Sequence, residues 1–123
     1  MSRPVLKPNA SHPITVEPTG RHVTVRVDGD VVAETDSALT LQESNYPAVQ
    51  YIPLSDVNRE LLRPTDTATY CPFKGDASYY SVVTSAGRTV EDVIWTYEQP
   101  YEAVGAIAGH VAFYLDKAEI TVG

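Results

Sequence analysis

The chain has 123 residues, the size of one ordinary domain, and 43% of them are hydrophobic. Nine Lys and Arg residues against sixteen Asp and Glu residues give a net charge of −7. Because a surplus of negative charge repels phosphate backbones, we expect no nucleic-acid partner. The single cysteine, Cys71, excludes an intrachain disulfide and a zinc site built from several cysteines.

The N-terminal segment lacks the apolar stretch of a secretory signal, and no later run reaches the ~18 apolar residues of a membrane-spanning helix. We therefore expect a soluble, cytoplasmic protein that has no membrane partner. Four prolines lie within residues 1–20, and proline blocks helices and central strands alike. This composition predicts an extended proline-rich N-terminal arm over residues 1–20, with one short edge strand at 14–16. A single β domain over residues 21–123 is expected to follow it.

Beyond the arm, apolar and polar residues alternate with the period of β-strands. Two such runs flank Asp28-Gly29, the strongest hairpin signal in the chain, and they predict strands at 22–27 and 31–35. The one helical signal covers residues 55–62, with Ser55 as its N-cap, and predicts no more than one or two turns. Further strands are predicted at 39–41, 49–51, 67–71, 77–83, 90–97, 111–114 and 119–122. A turn at 72–75 is predicted to join the strands 67–71 and 77–83 as a second hairpin.

Strands spaced by eight to twelve residues with turn signals between them are typical of a mainly β fold, a sandwich or a barrel. The pattern leaves room for at most one or two short helices. We find no internal repeat and no low-complexity segment.

Tyrosine dominates the aromatic residues, with eight tyrosines against two phenylalanines and one tryptophan. A dry core uses phenylalanine more readily, because a buried tyrosine hydroxyl requires a hydrogen-bond partner. Strand alternation places Trp95 and Tyr97 on one face and directs Tyr79 and Tyr80 to opposite faces. Two interpretations stay open: a concave ligand pocket lined by tyrosine, or tyrosine used as a half-buried sheet residue.

The charged and nucleophilic residues give weaker signals. The turn at 72–75 brings Lys74 back toward Cys71, and a nearby cation makes a thiol more nucleophilic, although a small buried cysteine explains the same residues more simply. Glu43 follows a strand and has no capping role, so it is a candidate for orienting a ligand or acting as a general base, although a solvated strand end is the simpler explanation. Asp56 lies in the first turn of the helical segment, where a negative charge is favoured.

The three histidines are far apart in sequence, and the glycine-rich phosphate-binding motifs are absent. We therefore expect neither a metal nor a cofactor.

Three segments carry a family resemblance. Thr-Tyr-Cys-Pro-Phe-Lys-Gly-Asp-Ala-Ser-Tyr at 69–79, Trp-Thr-Tyr at 95–97 before Pro100, and Val-Ala-Phe-Tyr at 111–114 resemble domain-of-unknown-function family number 427. The likeness covers about residues 21–122 and extends to an earlier set of matching residues, Glu43, Tyr51, Pro53, Asp56 and Val57.

The resemblance implies a small antiparallel β fold, a β-sandwich or a β-tent-like fold. Zinc-bearing proteins of the β-tent group use paired Cys-x-x-Cys motifs, which this chain lacks, so no zinc is expected. The family also carries a nucleotidyltransferase-like label. That chemistry needs two metal-binding carboxylates beside a phosphate-binding segment, and the matched residues do not supply such a pair.

Taken together, these features predict a small β domain that binds a small polar or aromatic molecule in a cleft lined by tyrosine and tryptophan. The identity of this molecule and the oligomeric state stay open. Two alternatives also stay open: an enzyme of unknown reaction that uses Cys71 or Glu43 with Lys74, and a protein-interaction module. The candidate ligand-binding residues are Glu43, Tyr51, Asp56, Cys71, Lys74, Tyr79, Trp95 and Tyr97.

Overall fold

The computed structural model describes residues 3–123, which form ten strands and three short 3-10 turns but no α-helix. The mainly β prediction is therefore confirmed, and no helix in this part of the chain has the length and apolar character needed to cross a bilayer. The strands are Ile14–Pro18 (β1), Val23–Val27 (β2), Asp30–Thr35 (β3), Leu39–Glu43 (β4), Val49–Pro53 (β5), Leu62–Cys71 (β6), Gly75–Val83 (β7), Thr89–Thr96 (β8), His110–Phe113 (β9) and Glu119–Val122 (β10). The 3-10 turns are Leu54–Asp56, Arg59–Leu61 and Glu102–Ile107.

The strands form two antiparallel sheets of unequal size. The larger sheet has the order β1-β4-β5-β9-β8-β7-β6, and the smaller one has the order β10-β2-β3. One face of the larger sheet packs on the smaller sheet and forms the main core, in which Val25, Ile52 and Ile94 are fully buried. The opposite face carries a second apolar cluster that includes Leu41 and Tyr51. We call this second surface the concave face.

The predicted hairpin at Asp28-Gly29 is confirmed. Asp28 has a φ of 53° and Gly29 a φ of 86°, and two positive values are what a two-residue type I′ turn requires. This turn matches the right-handed twist of strands β2 and β3 and joins them directly.

At residues 55–62 the chain forms no helix beyond the one or two turns that the sequence predicts, because it is drawn into the main core there. Val57 is buried and forms an isolated β-bridge with Ala33, and the Asn58 N–H donates to the Val32 carbonyl at 2.7 Å. Two separate 3-10 turns result, and strand β6 begins at Leu62. Ser55 is not a cap; the Asn58 side chain accepts from a backbone N–H of the second turn instead.

Strand β6 starts five residues earlier than the sequence predicts. Pro64 lies inside it, and β6 is the outermost strand of the larger sheet, where a residue without an N–H is tolerated. The turn into β7 has the predicted form: the Lys74 N–H donates to the Cys71 carbonyl at 3.1 Å, and Gly75 has a φ of 111°.

The larger sheet is strongly curled. Strands β4 and β7 are separated by three other strands, and in a flat sheet they would lie roughly 19 Å apart. Nevertheless the Lys74 ammonium, in the turn before β7, donates to the carboxylate of Glu43 at the end of β4. The N-terminal segment packs alongside the same turn, since the Leu6 N–H donates to the Pro72 carbonyl at 2.9 Å. The curl makes the second surface concave.

We expect the substitution Gly75→Ala to lower the free energy of unfolding by about 1–3 kcal/mol, because an L-residue is strained at a φ of 111°. Gly105→Ala is the matched control: Gly105 is exposed, has no positive φ, and an added Cβ would meet no atom within 4 Å. Urea unfolding of both variants measures the effect. Equal stability of Gly75→Ala and the wild type would contradict the strain at this turn.

Candidate functional site

The concave face contains a cavity of about 640 Å³, a volume within the range of roughly 300–1,000 Å³ that is typical of small-molecule sites. Strands β4, β5, β7, β8 and β9 all contribute to its lining, together with the β4–β5 loop and the β6–β7 turn. Among the described residues that line it, only Glu43 and Lys74 are charged. Most of the others are aromatic or aliphatic.

The two charged residues form a nearly buried ion pair. One carboxylate oxygen of Glu43 accepts from Lys74 Nζ, and the other lies 2.8 Å from His12 Nε2. The side chains of Lys74 and Glu43 are only 10% and 14% exposed. His12 stacks on Phe73, with ring centroids 4.2 Å apart. The carboxylate therefore has a nitrogen partner at each oxygen, which a buried charge requires.

The register of the first two paired strands explains how His12 reaches this position. Ile14 of β1 lies opposite Glu43 of β4, so the chain just before β1 runs past the end of β4. The Asn9 side chain holds this segment in a tight turn by accepting from the His12 N–H at 3.0 Å.

The environment of Glu43 keeps its carboxyl group ionised. Burial by itself would raise the pKa of Glu43, but the hydrogen bonds and charges of Lys74 and His12 outweigh burial and hold it below its ordinary value. Such a carboxylate is a weaker base than a free one. It is better suited to fixing the position of Lys74 than to abstracting a proton.

Aromatic rings form the walls of the cavity. Trp95 meets Tyr51 edge to face, with centroids 6.5 Å apart, and its Nε1–H donates to the Tyr51 hydroxyl at 3.3 Å. On its other side Trp95 lies 4.5 Å from the ring of Tyr114. The hydroxyls of Tyr114 and Tyr79 are 3.2 Å apart, and Tyr79 is also 2.9 Å from the hydroxyl of Thr69. These contacts tie the rings into one connected wall.

The hydroxyls of Tyr51, Tyr97 and Tyr114 stay protonated well above neutral pH. Burial raises the pKa of Tyr51 to about 12 and, together with the contact to Tyr79, that of Tyr114 to about 12. Burial also raises the pKa of Tyr97. At pH 7 each of these groups is therefore a neutral phenol that can donate a hydrogen bond.

The structure brings most of the predicted site residues together. Cys71 packs against the cluster on the concave face and its Sγ lies 3.8 Å from Lys74 Nζ, but it is not part of the cavity lining. Asp56 lies elsewhere, exposed in the turn after β5, and accepts from the Thr35 hydroxyl at 2.6 Å. The predicted residues that line the cavity are Glu43, Tyr51, Lys74, Tyr79, Trp95 and Tyr97.

Sequence reasoning missed three contributors. Tyr114 follows the Val-Ala-Phe segment and carried a signal, because it belongs both to the tyrosine set and to the resemblance. Tyr46 was in the tyrosine set but lies in a loop, where alternation gives no face. For His12, in the proline-rich arm, the sequence offers no signal, since its contact with Glu43 depends on the pairing of β1 with β4.

In the described residues 3–123, no three side chains of His, Cys, Asp or Glu converge as a metal site would require. Residues 15–123 match the family model described as Domain of unknown function (DUF427), whose short name carries a nucleotidyltransferase-like label. This match confirms the resemblance found in the sequence. No curated protein matches the chain.

We expect Glu43→Gln to lower the free energy of unfolding by about 1–3 kcal/mol at pH 7, because it leaves the nearly buried ammonium of Lys74 without its counter-charge. The folded pKa of Glu43 lies below its ordinary value of 4.5. The stability that it contributes is thus fully present above pH 4.5 and is lost as the pH falls through the folded pKa. The difference between wild type and variant should shrink over that acidic range.

Chemical unfolding at a series of pH values measures this difference. Glu119→Gln, which removes an exposed carboxylate from β10, is the control and should change stability little at any pH. A difference for Glu43→Gln that does not change between pH 7 and strongly acidic pH would show that the ion pair does not stabilise the fold.

Proposed function

The chain belongs to the family described as Domain of unknown function (DUF427), and we propose that it is a binding domain whose cavity holds a small polar or aromatic molecule. One observation carries this proposal. Six residues from β4, β5, the β6–β7 turn, β7, β8 and the segment after β8, spread over more than fifty positions of the sequence, line one cavity. Four are aromatic and two form an ion pair, the mixture of apolar walls and few polar groups that ligand sites use.

The walls favour a flat ring. The ring centroids of Trp95 and Tyr114 lie 4.5 Å apart with an interplanar angle of 46°, and Tyr79 adds a ring nearly parallel to Tyr114. Edges and faces of rings attract one another by about 0.5–1.5 kcal/mol per pair beyond their buried area. An aromatic ligand would therefore gain more binding free energy from packing against these rings than from hydrogen bonds.

The polar groups favour binding over acid–base catalysis. Glu43 is held ionised by two partners, and the Lys74 ammonium is engaged by Glu43. In this state the carboxylate is a poor base and the ammonium is a poor nucleophile. If an activity is found, Glu43→Gln and Cys71→Ser should leave it intact, and its loss in either variant would favour the enzyme alternative.

A thermal-shift screen of metabolites and nucleotides tests the proposal, because a ligand that binds only the folded state raises the melting temperature. At about one hundred times its Kd, such a ligand adds about 2.7 kcal/mol, which corresponds to roughly 10 °C for a domain of this size. The fluorescence of Trp95, the only tryptophan, should change on addition of the same compound. A screen without a hit would count against the proposal.

A pair of adjacent tyrosines separates cavity binding from general effects on the fold. Tyr79 lines the cavity, whereas its neighbour Tyr80 is half-buried against the main core on the opposite face. We expect Tyr79→Leu to abolish most of the ligand-induced rise in melting temperature and Tyr80→Leu to preserve it. Each shift is measured against the same variant without ligand. Loss of the rise in both variants, or in neither, would place binding outside this cavity.

A further inference from the structure

Two phenol groups on the cavity wall retain unused hydrogen-bond donors. Tyr97 is 8% exposed, and its hydroxyl makes no hydrogen bond to any residue between 3 and 123. No fully buried polar side-chain atom of the described chain lacks a partner, so this oxygen keeps some accessible surface. Since Tyr97 lines the cavity, the hydroxyl is available to a ligand there.

The Tyr51 hydroxyl also has a hydrogen-bond donor that is not used. Only 1% of it is exposed, and its oxygen accepts from Trp95 Nε1–H, so its own proton has no acceptor within the described residues. Tyr51 and Tyr97 belong to the same buried cluster and line the same cavity. A nearly buried donor without an acceptor costs about 1–3 kcal/mol. Supplying an acceptor recovers that free energy.

The charges of the cavity disfavour an ionic ligand. Glu43 and Lys74, the only charged residues of the described lining, neutralise each other, so a buried anion or cation would find no unpaired opposite charge. The net charge of −7 adds further repulsion for anions. A neutral molecule avoids both penalties.

We propose that the cavity selects neutral, planar ring compounds that present a carbonyl oxygen to the hydroxyls of Tyr97 and Tyr51. A carbonyl oxygen has two lone pairs, so it has an acceptor site for each of the two phenols. The aromatic walls hold the ring to which this carbonyl is attached. The inference rests on the proposed binding function and narrows it to one ligand class.

Four probes with the same ring test the class: benzamide, which is a neutral carbonyl compound; benzoate, an anion; benzyltrimethylammonium, a cation; and toluene, which has no polar group. All dissolve at millimolar concentrations, and binding is followed by the fluorescence of Trp95 and by ligand-observed NMR. We expect benzamide to bind about tenfold more tightly than each of the other three, the factor that one or two good hydrogen bonds provide. Stronger binding of benzoate or benzyltrimethylammonium would overturn the inference and leave the binding function standing.

Tyr97→Phe removes the hydroxyl and keeps the ring. We expect it to weaken benzamide binding about tenfold while changing toluene binding less than twofold. Tyr51→Phe should have the same direction of effect, and Tyr80→Phe, on the opposite face, should have none. Unchanged benzamide affinity in Tyr97→Phe would overturn the inference.

The stability of the ligand-free protein supplies a second measurement. Because the Tyr97 hydroxyl has no partner among the described residues, Tyr97→Phe should be at least as stable as the wild type. A clear loss of stability would show that the hydroxyl is already engaged, and would overturn the inference. If none of the four probes binds while the metabolite screen gives a hit, the carbonyl inference fails alone. If both are negative, the binding function fails with it.

Discussion

The ion pair between Glu43 and Lys74 joins two distant parts of the larger sheet, and the cavity depends on the curl that this contact requires. The two residues belong to opposite halves of that sheet, with three strands between β4 and β7. Bringing their side chains into contact requires the sheet to curl, and the curl turns the face that carries the aromatic residues into a hollow. The pair is nearly buried, so its desolvation is expensive unless both charges are well partnered. His12 supplies the second partner of the carboxylate.

The same sheet supports the cavity from behind. Adjacent residues of one strand serve different clusters: Ile94 is fully buried in the main core, whereas Trp95 packs on the concave face. Tyr51 and Ile52 divide in the same way on β5. The side chains behind the cavity are close-packed, and a packed core resists deformation. The aromatic wall is therefore mounted on a rigid support, and a preformed wall loses little entropy when a ligand binds.

Period-two alternation predicted which residues share a face. It correctly placed Trp95 and Tyr97 on the same face, and Tyr79 and Tyr80 on opposite faces. The Asp28-Gly29 turn was predictable because a type I′ turn depends on only two residues. The order of strands in the sheet was not predictable, since pairing between β5 and β9 joins segments more than fifty residues apart. Alternation contains no information about such pairing. The break between the two 3-10 turns, Leu54–Asp56 and Arg59–Leu61, was not predictable for the same reason, because the bridge between Val57 and Ala33 is a tertiary contact.

His12 shows how far the site extends beyond its most recognisable segments. The family match begins at residue 15, so one of the two nitrogen partners of the Glu43 carboxylate comes from the chain preceding it. The β6–β7 turn supplies the other partner and also the ring of Phe73, on which His12 stacks. The N-terminal arm and the β6–β7 turn are thus linked through their shared contacts with the Glu43 carboxylate. Since the charges of Glu43 and Lys74 are paired with each other, the selectivity that we propose for the cavity depends on the uncharged phenols of Tyr51 and Tyr97.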